Sequence, residues 1–289
     1  MLKTFKNSWR EVGLCALVLG NLFTWYAVHA ESRAGLLTVS FLDVGQGDAI
    51  LIDGPSGIQV LIDGGRGKKV LSELGEVLPF YDRSIDVIIA THPDQDHMEG
   101  LIGVPERYDN LLFIEPDLTT DKPFQIKLRE LVKAKGVQEL FAQAGQSIAL
   151  GDGATLTILF PDLDVSNWQD ITNNASVVAL LEYGQTSFLF TGDSPSAIES
   201  RLVKELSGVL DVDVLKVGHH GSRTSSSQAF IDATSPEFAI ISAGKDNSYG
   251  HPHGEVIERL RVVGANILST AEVGRITIKS DGTSLKLSN

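Results

Sequence analysis

The sequence predicts a single α/β domain in which two mixed β-sheets pack together and helices cover the outside. Strand-like segments are followed by helical segments in both halves of the chain, and hairpins occur near the start, the middle and the end. Residues 85–92 form a continuous apolar run, which is typical of a strand buried on both faces. After about residue 35 there is no repeat, low-complexity tract or linker, so we expect one domain over residues 36–289.

The first half of this domain is predicted from its hydrophobic periodicity. Alternating or continuous apolar segments predict strands at residues 36–45, 48–54, 59–65, 85–92 and 110–116. The turn GPSG joins the second and third of these strands as a hairpin. Apolar residues at helical spacing predict helices at residues 68–80, from His97 to about Arg107, and at residues 123–136.

The second half repeats the mixture of strands and helices. Three strand-like segments lie between residues 138 and 162, and residues 176–192 form a hairpin that turns near Gly184. Ser194 or Ser196 is expected to cap the helix that follows. Further strands are predicted at residues 212–218, 238–244 and 266–270, with a helix at 254–264 and a final hairpin turning at Asp281-Gly282.

Composition limits the possible functions. The formal net charge is −13, and proteins that bind nucleic acid mainly by gripping phosphates are usually basic. A phosphodiester substrate is still compatible, because bound divalent cations can reverse the local field. Cys15 is the single cysteine, so an intrachain disulfide and a cysteine-based zinc site are both excluded. Any metal must therefore be held by histidines and carboxylates.

The N-terminal segment has the layout of a signal peptide or a signal anchor. Lys3, Lys6 and Arg10 precede an uncharged run from Val12 to Val28, which is about as long as the shortest bilayer spans, roughly 17 residues. We interpret residues 1–30 as an uncleaved anchor or a cleaved signal, with a buried core helix as the alternative. An anchor or a signal would place the domain outside the cytoplasmic membrane, either as a single-pass protein or as a secreted one.

Metal-capable side chains follow four predicted strands, in the segments ATHPDQDH, FTGDS, KVGHHGS and YGHPHG. In layered α/β folds, residues just past strand ends meet at one rim, where ligands bind. A surface loop, a helix cap or satisfied core histidines would explain each segment alone, but not all four together. The candidate metal ligands are His92, Asp94, Asp96, His97, Asp193 and one of His219 and His220.

These segments carry a resemblance. From about Leu37 onward the chain resembles the metallo-β-lactamase superfamily, and more closely the extracytoplasmic metallo-β-lactamase-like domain of the ComEC family of DNA-internalisation proteins. The resemblance rests on FLDVGQGDAILI, LIDGG, THPDQDHMEG, NNASVVALLEYGQTSFLFTGD, LKVGHHGS and NSYGHPHGEVIERL, in that order. It implies a four-layer αββα sandwich. The long multi-span channel region of the ComEC family has no counterpart here beyond the single hydrophobic segment.

The resemblance implies two divalent ions, zinc or manganese, of which one is bound more weakly. The superfamily pattern H-x-H-x-D-H has Asp94 at its second position here, and the family's third histidine falls where this chain has Asn173 and Asn174. The first site is therefore short of imidazole, which favours manganese or magnesium relative to zinc. Both departures argue against hydrolysis of β-lactams.

The function implied by the resemblance is metal-dependent hydrolysis of DNA phosphodiesters, linked to DNA uptake or competence. One ion would be held by His92, Asp94 and Asp193 with help from Asn174, and the other by Asp96, His97, Asp193 and His219. Asp96 is expected to be essential for turnover. Proton donation to the leaving oxygen is assigned to His220, His251 or His253, and a phosphate contact to Ser222. The sequence leaves open which of His219 and His220 is the ligand.

Two alternatives stay open at this stage. One is a metallohydrolase of the same fold that acts on a small phosphodiester, a phosphorylcholine ester or a lactone. The other is a non-catalytic module that assists a DNA channel. The expected partners are DNA, a membrane DNA-uptake channel and the membrane itself through the N-terminal segment. The sequence does not fix the oligomeric state.

Overall fold

A computed structural model describes residues 2–31, 35–168 and 171–288 of the chain. The chain divides into two compact units, Met1–Gly35 and Leu36–Asn289. The first unit contains helix α1 (Leu2–Glu31). Among the described residues, no helix is both long and apolar enough to cross a membrane. The side chains of Lys3 and Lys6 lie outside the described part, and the interpretation of residues 1–30 as a signal peptide or signal anchor stays a prediction.

The second unit contains two sheets. The first consists of β1 (Leu37–Phe41), β2 (Ile50–Asp53), β3 (Gln59–Ile62), β4 (Val87–Ile89), β5 (Leu112–Glu115), β6 (Gln138–Phe141), β14 (Ile276–Ser280) and β15 (Leu285–Ser288). Their spatial order is β15-β14-β1-β2-β3-β4-β5-β6. Pairing is antiparallel from β15 to β3 and parallel from β3 to β6. The C-terminal hairpin β14-β15 therefore forms one edge of this sheet, where β14 pairs with β1.

The second sheet consists of β7 (Ser147–Gly151), β8 (Ala154–Phe160), β9 (Val178–Tyr183), β10 (Thr186–Phe190), β11 (Val214–Lys216), β12 (Phe238–Ile241) and β13 (Asn266–Ser269). Their order is β13-β12-β11-β10-β9-β8-β7, with β10 to β13 parallel. The two sheets bury a shared core, in which the rings of Phe41 and Phe190 lie 6.3 Å apart across the interface.

Helices cover both outer faces, so the fold is the four-layer αββα sandwich that was predicted. The first sheet is covered by α2 (Lys69–Val77), α3 (Gln95–Met98), α4 (Val104–Arg107) and α5 (Pro123–Ala134). The second is covered by α6 (Ser196–Leu206), α7 (Gln228–Thr234) and α8 (Gly254–Val262); α9 (Thr270–Val273) follows β13. The prediction that the β4 segment is buried on both faces is confirmed, because Val87 and Ile89 face the shared core and Ile88 faces the helices.

Two local predictions have different outcomes. The segment from His97 to Arg107 is helical as predicted, but its middle part is a 3₁₀ segment at Glu99–Gly103 that packs closely against the loop after β3. A Cβ on Gly100 would lie only 2.0 Å from the Gly64 carbonyl oxygen. Helix α6 has Pro195 at its N-cap and no side-chain cap hydrogen bond, so neither Ser194 nor Ser196 caps it.

Candidate metal centre

The site lies where parallel strands of both sheets end. The chain leaves β3, β4, β10 and β11 at the same rim, and the next few residues are Asp63, His92, Asp193 and the His219-His220 pair. Parallel strands present their carboxyl ends on one side, so segments far apart in sequence meet here. The predicted convergence of strand ends is therefore found.

Asp193 is the centre of the cluster. Its carboxylate is 3% exposed and lies within 4 Å of four imidazoles. The Nε2 atoms of His97, His219, His220 and His92 are 3.3, 3.5, 3.6 and 3.9 Å from its oxygens. A buried carboxylate surrounded in this way is suited to bridge two cations, as the sequence predicted.

Three of the imidazoles point their Nε2 atom at this carboxylate. The Nε2 atoms of His92, His97 and His220 are fully buried and have no hydrogen-bond partner. Buried polar atoms are nearly always satisfied in native structures, so three unsatisfied atoms in one place require an explanation. A bound metal ion supplies it, because an imidazole nitrogen without a proton is a ligand for divalent metals.

The opposite ring nitrogens fix the tautomers. His97 Nδ1 donates to Asp63 Oδ2 at 2.8 Å, and His220 Nδ1 donates to the Ser242 carbonyl oxygen at 2.9 Å. Thr91 donates its hydroxyl to Asp63 Oδ2 at 2.7 Å, so its oxygen accepts from His92 Nδ1 at 3.0 Å. Each Nδ1 therefore carries the proton in the neutral ring, and each Nε2 is left as a ligand.

Asp63 orients two of these histidines, and the sequence analysis did not single it out, although its segment LIDGG is one of those that carry the resemblance. It is fully buried, and its backbone adopts the left-handed conformation at φ 58°. Aspartate tolerates that conformation better than most residues with a Cβ. Its second oxygen also accepts from the Thr91 backbone N–H at 2.7 Å. Parallel pairing of β3 with β4 places the end of one strand beside the start of the His92 loop.

Asp94 and Asp96 stand at the open side of the cluster. Asp96 Oδ2 lies 3.4 Å from His220 Nε2. Asp94 Oδ2 lies 3.8 Å from His92 Nε2, while its other oxygen accepts from Thr172 at 2.6 Å and from the Lys122 ammonium. Lys122 and Thr172 were not singled out from the sequence. The Lys122 ammonium thus offsets the negative charge of Asp94 beside His92.

The geometry distinguishes His219 from His220. Both residues are in the left-handed conformation, at φ 48° and 56°, which is rare for non-glycine residues and is typically retained at functional sites. His220 is buried and forms a tight group with His97, Asp193 and Asp48, whose ligand atoms lie within 4.8 Å of one another. His219 is 26% exposed, and its Nδ1 lies 3.1 Å from Thr224 Oγ1. The sequence left this choice open, and the geometry favours His220 as the ligand and His219 as the residue on the substrate side.

Asp48 is the second residue that sequence reasoning missed. It lies in the loop between β1 and β2, and Gly47 allows that loop to approach α3, because a Cβ on Gly47 would lie 1.9 Å from the Asp96 carbonyl oxygen. Asp48 Oδ1 is 3.3 Å from His220 Nδ1, and its Oδ2 is 2.5 Å from the Lys216 ammonium. Both Asp48 and Lys216 are buried. Asp48 thus lies at the Nδ1 side of the His220 ring, and Lys216 supplies its counter-charge.

The protonation equilibria show that the cluster attracts positive charge. Burial alone would lower the pKa of His220, but Asp193, Asp48 and Asp96 outweigh it and raise the pKa to about 9. Burial also acts to lower the pKa of His97, and Asp193 and Asp63 raise it well above its ordinary value. Divalent ions would take the place of these protons, because ligation requires the neutral imidazole.

The remaining predicted residues lie around this centre. The His251 ring lies 5.6 Å from that of His219 and 6.2 Å from that of His220; burial, followed by the neighbouring histidines, lowers the pKa of His251 to about 4. His253 Nδ1 accepts from the Arg223 backbone N–H. The Ser222 hydroxyl is buried 3.0 Å from that of Thr224.

Asn174 lies in a 3₁₀ turn at Thr172–Ala175. Within the described part of the chain, it is Thr172 and not Asn174 whose side chain contacts the ligands. The roles predicted for Ser222, Asn174, His251 and His253 stay predictions.

Comparison with curated proteins gives relatives that include ComE operon protein 3, Recombination protein 2 and Competence protein ComA of Neisseria gonorrhoeae. The chain is 30% identical to ComE operon protein 3 of Bacillus subtilis over 282 residues. This alignment covers 91% of this chain and 35% of that protein. The chain is 33% identical to Recombination protein 2 of Haemophilus influenzae over 244 residues. This alignment covers 83% of this chain and 28% of that protein. The chain thus spans about a third of the length of these two relatives.

Solved structures share the fold at low sequence identity. The metallo-beta-lactamase fold protein YhfI from Bacillus subtilis matches with a TM-score of 0.53 and 12% identity, over 81% of this chain and 95% of that one. CmlA, a diiron beta-hydroxylase from Streptomyces venezuelae, matches with a TM-score of 0.54 and 16% identity, over 84% of this chain and 54% of that one. The family profile described as the metallo-beta-lactamase superfamily matches residues 42–245, which include Asp48, Asp63, His97, Asp193 and His220. The chain belongs to the metallo-beta-lactamase superfamily.

Proposed function

We propose that this chain is a divalent-metal-dependent phosphodiesterase that cleaves DNA in connection with DNA uptake. The observation that carries the proposal is the convergence of three buried, unpartnered Nε2 atoms on the carboxylate of Asp193. Nitrogen and carboxylate oxygen donors together suit divalent transition metals. Ions bound there would supply Lewis acidity to a phosphoryl oxygen and acidify an attacking water.

The residues of the site would have distinct roles in binding metal and in transferring protons. Asp96, His97, Asp193 and His220 form one ligand set, and His92, Asp94 and Asp193 form the other. Asp63 and Thr91 keep His97 and His92 in the tautomer that presents Nε2. His219 is partly exposed and close to Asp193, so it is the residue placed to hold or donate a proton at the substrate. Lys122 beside Asp94 makes the set around His92 the weaker one.

DNA as the substrate is supported by the relatives. The names of Recombination protein 2 and Competence protein ComA concern recombination and competence, and each likeness extends over most of this chain. Because the chain spans less than a third of their length, the activity of the whole relatives does not transfer automatically. The net charge of −13 means that long-range attraction of DNA is weak. Binding must then come from the metal ions and from local contacts.

The test uses the purified protein, stripped of metal and reloaded with manganese or zinc, on single- and double-stranded DNA. We expect cleavage with the metal and none without it. Asp96→Ala should abolish cleavage and leave the protein folded, because this side chain is at the start of α3 on the open side of the cluster and is 26% exposed. Circular dichroism provides the folding control.

Each other result would point to a different function. Intact DNA together with hydrolysis of a small phosphodiester would replace the DNA hypothesis with a small-substrate hydrolase. Metal binding with no hydrolysis of either substrate would favour a non-catalytic module that assists DNA uptake. Equal cleavage with and without metal would contradict the proposed chemistry altogether.

We also propose that residues 36–289 act outside the cytoplasmic membrane. The support is the sequence pattern alone, in which Lys3, Lys6 and Arg10 precede an uncharged run. In intact spheroplasts that express the full chain, added protease should digest the domain, while a cytoplasmic marker protein stays intact. If the domain is protected until the cells are lysed, the proposed location is wrong.

A further inference from the structure

A cavity opens directly beside Asp96. Its volume is about 290 Å³, and it is lined by residues of three loops and of α3, including Gln46, Arg66, Gln95, Asp96 and Tyr249. A volume of this order is close to the lower end of small-ligand sites. Because Asp96 belongs both to the cavity wall and to the proposed ligand set, a molecule bound here would have one end at the metal centre.

Arg66 gives the cavity a free cationic group. Its side chain is exposed, and no carboxylate within the described ranges forms an ion pair with it. A guanidinium offers several N–H donors in a fixed plane, which match the oxygens of a phosphate. In a protein with a net charge of −13, an unpaired arginine beside the reaction centre is suited to an anionic ligand.

Tyr249 gives the same cavity an aromatic wall. It is 63% exposed, and its ring stacks on His251 with centroids 5.6 Å apart and planes at 22°. His251 in turn lies 6.2 Å from the His220 ring. The backbone N–H of Tyr249 donates to the Asn247 side chain, which also fixes the His251 backbone. The ring is therefore held in place while one face is open, as in the platforms on which nucleobases stack.

From this arrangement we infer that the cavity binds one nucleotide of a single nucleic-acid strand, with a phosphate at Arg66 and the base on Tyr249. The inference rests on the proposed function and adds the residues that recognise the substrate. Stacking requires an unpaired base, so an unpaired strand fits this site and a continuous duplex does not. Asp246 also lines the cavity, and its negative charge opposes the bound phosphate.

The test compares two substrates with the same leaving group, 4-nitrophenyl thymidine 5′-phosphate and methyl 4-nitrophenyl phosphate. The wild-type protein should prefer the thymidine ester in kcat/KM. Tyr249→Ala should reduce that preference about tenfold or more, whereas Tyr249→Phe should keep it, because stacking needs the ring and not the hydroxyl. Tyr81→Ala, a change to another half-exposed tyrosine in a different part of the molecule, is the matched control and should keep the preference.

The contributions of the Arg66 and Asp246 charges to binding are tested with a fluorescent oligothymidylate, whose binding is measured by anisotropy. Arg66→Gln should weaken binding about tenfold and reduce its salt dependence by about one ion. Asp246→Asn should strengthen binding, since it removes repulsion of the phosphate. Arg261→Gln, at an exposed arginine paired with Glu258, should have no effect. Weaker binding in Asp246→Asn would show that the cavity takes a cationic ligand and would overturn the inference.

The experiment separates failure of this inference from failure of the proposed function. Hydrolysis of both esters without a preference for thymidine, or a preference that survives Tyr249→Ala, would overturn the nucleotide site and leave the hydrolase intact. Hydrolysis of neither ester would overturn the proposed activity. The anisotropy measurements would still decide whether Arg66 binds a strand.

Discussion

Replacing Asp193 with asparagine is expected to empty both metal sites and to lower phosphodiester turnover more than 100-fold. Asp193 is the carboxylate that all three unpartnered Nε2 atoms approach, at 3.3 to 3.9 Å. Residues that only orient metal ligands typically contribute about 10–100-fold to metal affinity or activity. A carboxylate shared by two ions must contribute more than that.

The substitution keeps the shape of the side chain and removes its charge. In the metal-free protein the wild-type carboxylate also balances the positive charge of His97 and His220, and it raises the pKa of both rings. The matched control is His219→Gln, which changes a side chain that is also within 4 Å of Asp193 but is partly exposed. This control variant should keep its metal while losing turnover, because His219 is placed on the substrate side of the cluster.

Elemental analysis of the purified protein measures directly how much metal each variant binds. The wild-type protein and His219→Gln should carry one to two divalent ions per chain, roughly as expected for a two-metal template, and Asp193→Asn should carry far less than one. Full metal content in Asp193→Asn would show that Asp193 is not a shared ligand. Loss of metal in His219→Gln would show that His219, and not only His220, is a ligand.

Most residues of the cluster could be singled out from the sequence, because metal-capable residues at strand ends are a local pattern. His92, Asp94, Asp96 and His97 follow one apolar strand, and Asp193 follows another. Each group could be found without knowing which strands are neighbours. The layered fold could be predicted in the same way, from the alternation of strands and helices and from hairpins at three points along the chain.

Residues that act through pairing between distant segments could not be predicted. Asp63 reaches His97 only because β3 lies parallel to β4, and Lys216 reaches Asp48 only because the two sheets face each other. Nothing in the local sequence marks either contact. The choice between His219 and His220 depends on two successive residues in the left-handed conformation, which is uncommon for any residue other than glycine and has no local signal in the sequence.

Replacing Lys216 with methionine is expected to destabilise the domain by about 3–5 kcal/mol, the usual cost of breaking a buried ion pair from one side. Lys216 is the last residue of β11 in the second sheet, and Asp48 belongs to a loop of the first sheet. Both side chains are at most 2% exposed, and their charged atoms are 2.5 Å apart. Methionine preserves the length and apolar stem of lysine but leaves the Asp48 carboxylate buried without its cation.

Asp48 loses its largest source of counter-charge when the Lys216 ammonium is removed. Burial acts to raise the pKa of Asp48, but Lys216 and His220 outweigh it and keep the pKa below the ordinary value. Without Lys216 the carboxylate must either take up a proton or stay charged in the interior. His220 can replace part of the missing charge when it is protonated, but a metal ion at its Nε2 would prevent that. The destabilisation should therefore be larger in the metal-loaded protein than in the metal-free protein.

Guanidinium unfolding, followed by circular dichroism in both metal states, measures this free energy. The double variant Asp48→Asn/Lys216→Met is the matched control, because it removes both charges and should recover most of the stability. If Lys216→Met is as stable as the wild type, the buried ion pair does not contribute. If the double variant is as unstable as Lys216→Met, the loss comes from packing around residue 216, and the charge of Asp48 is not its cause.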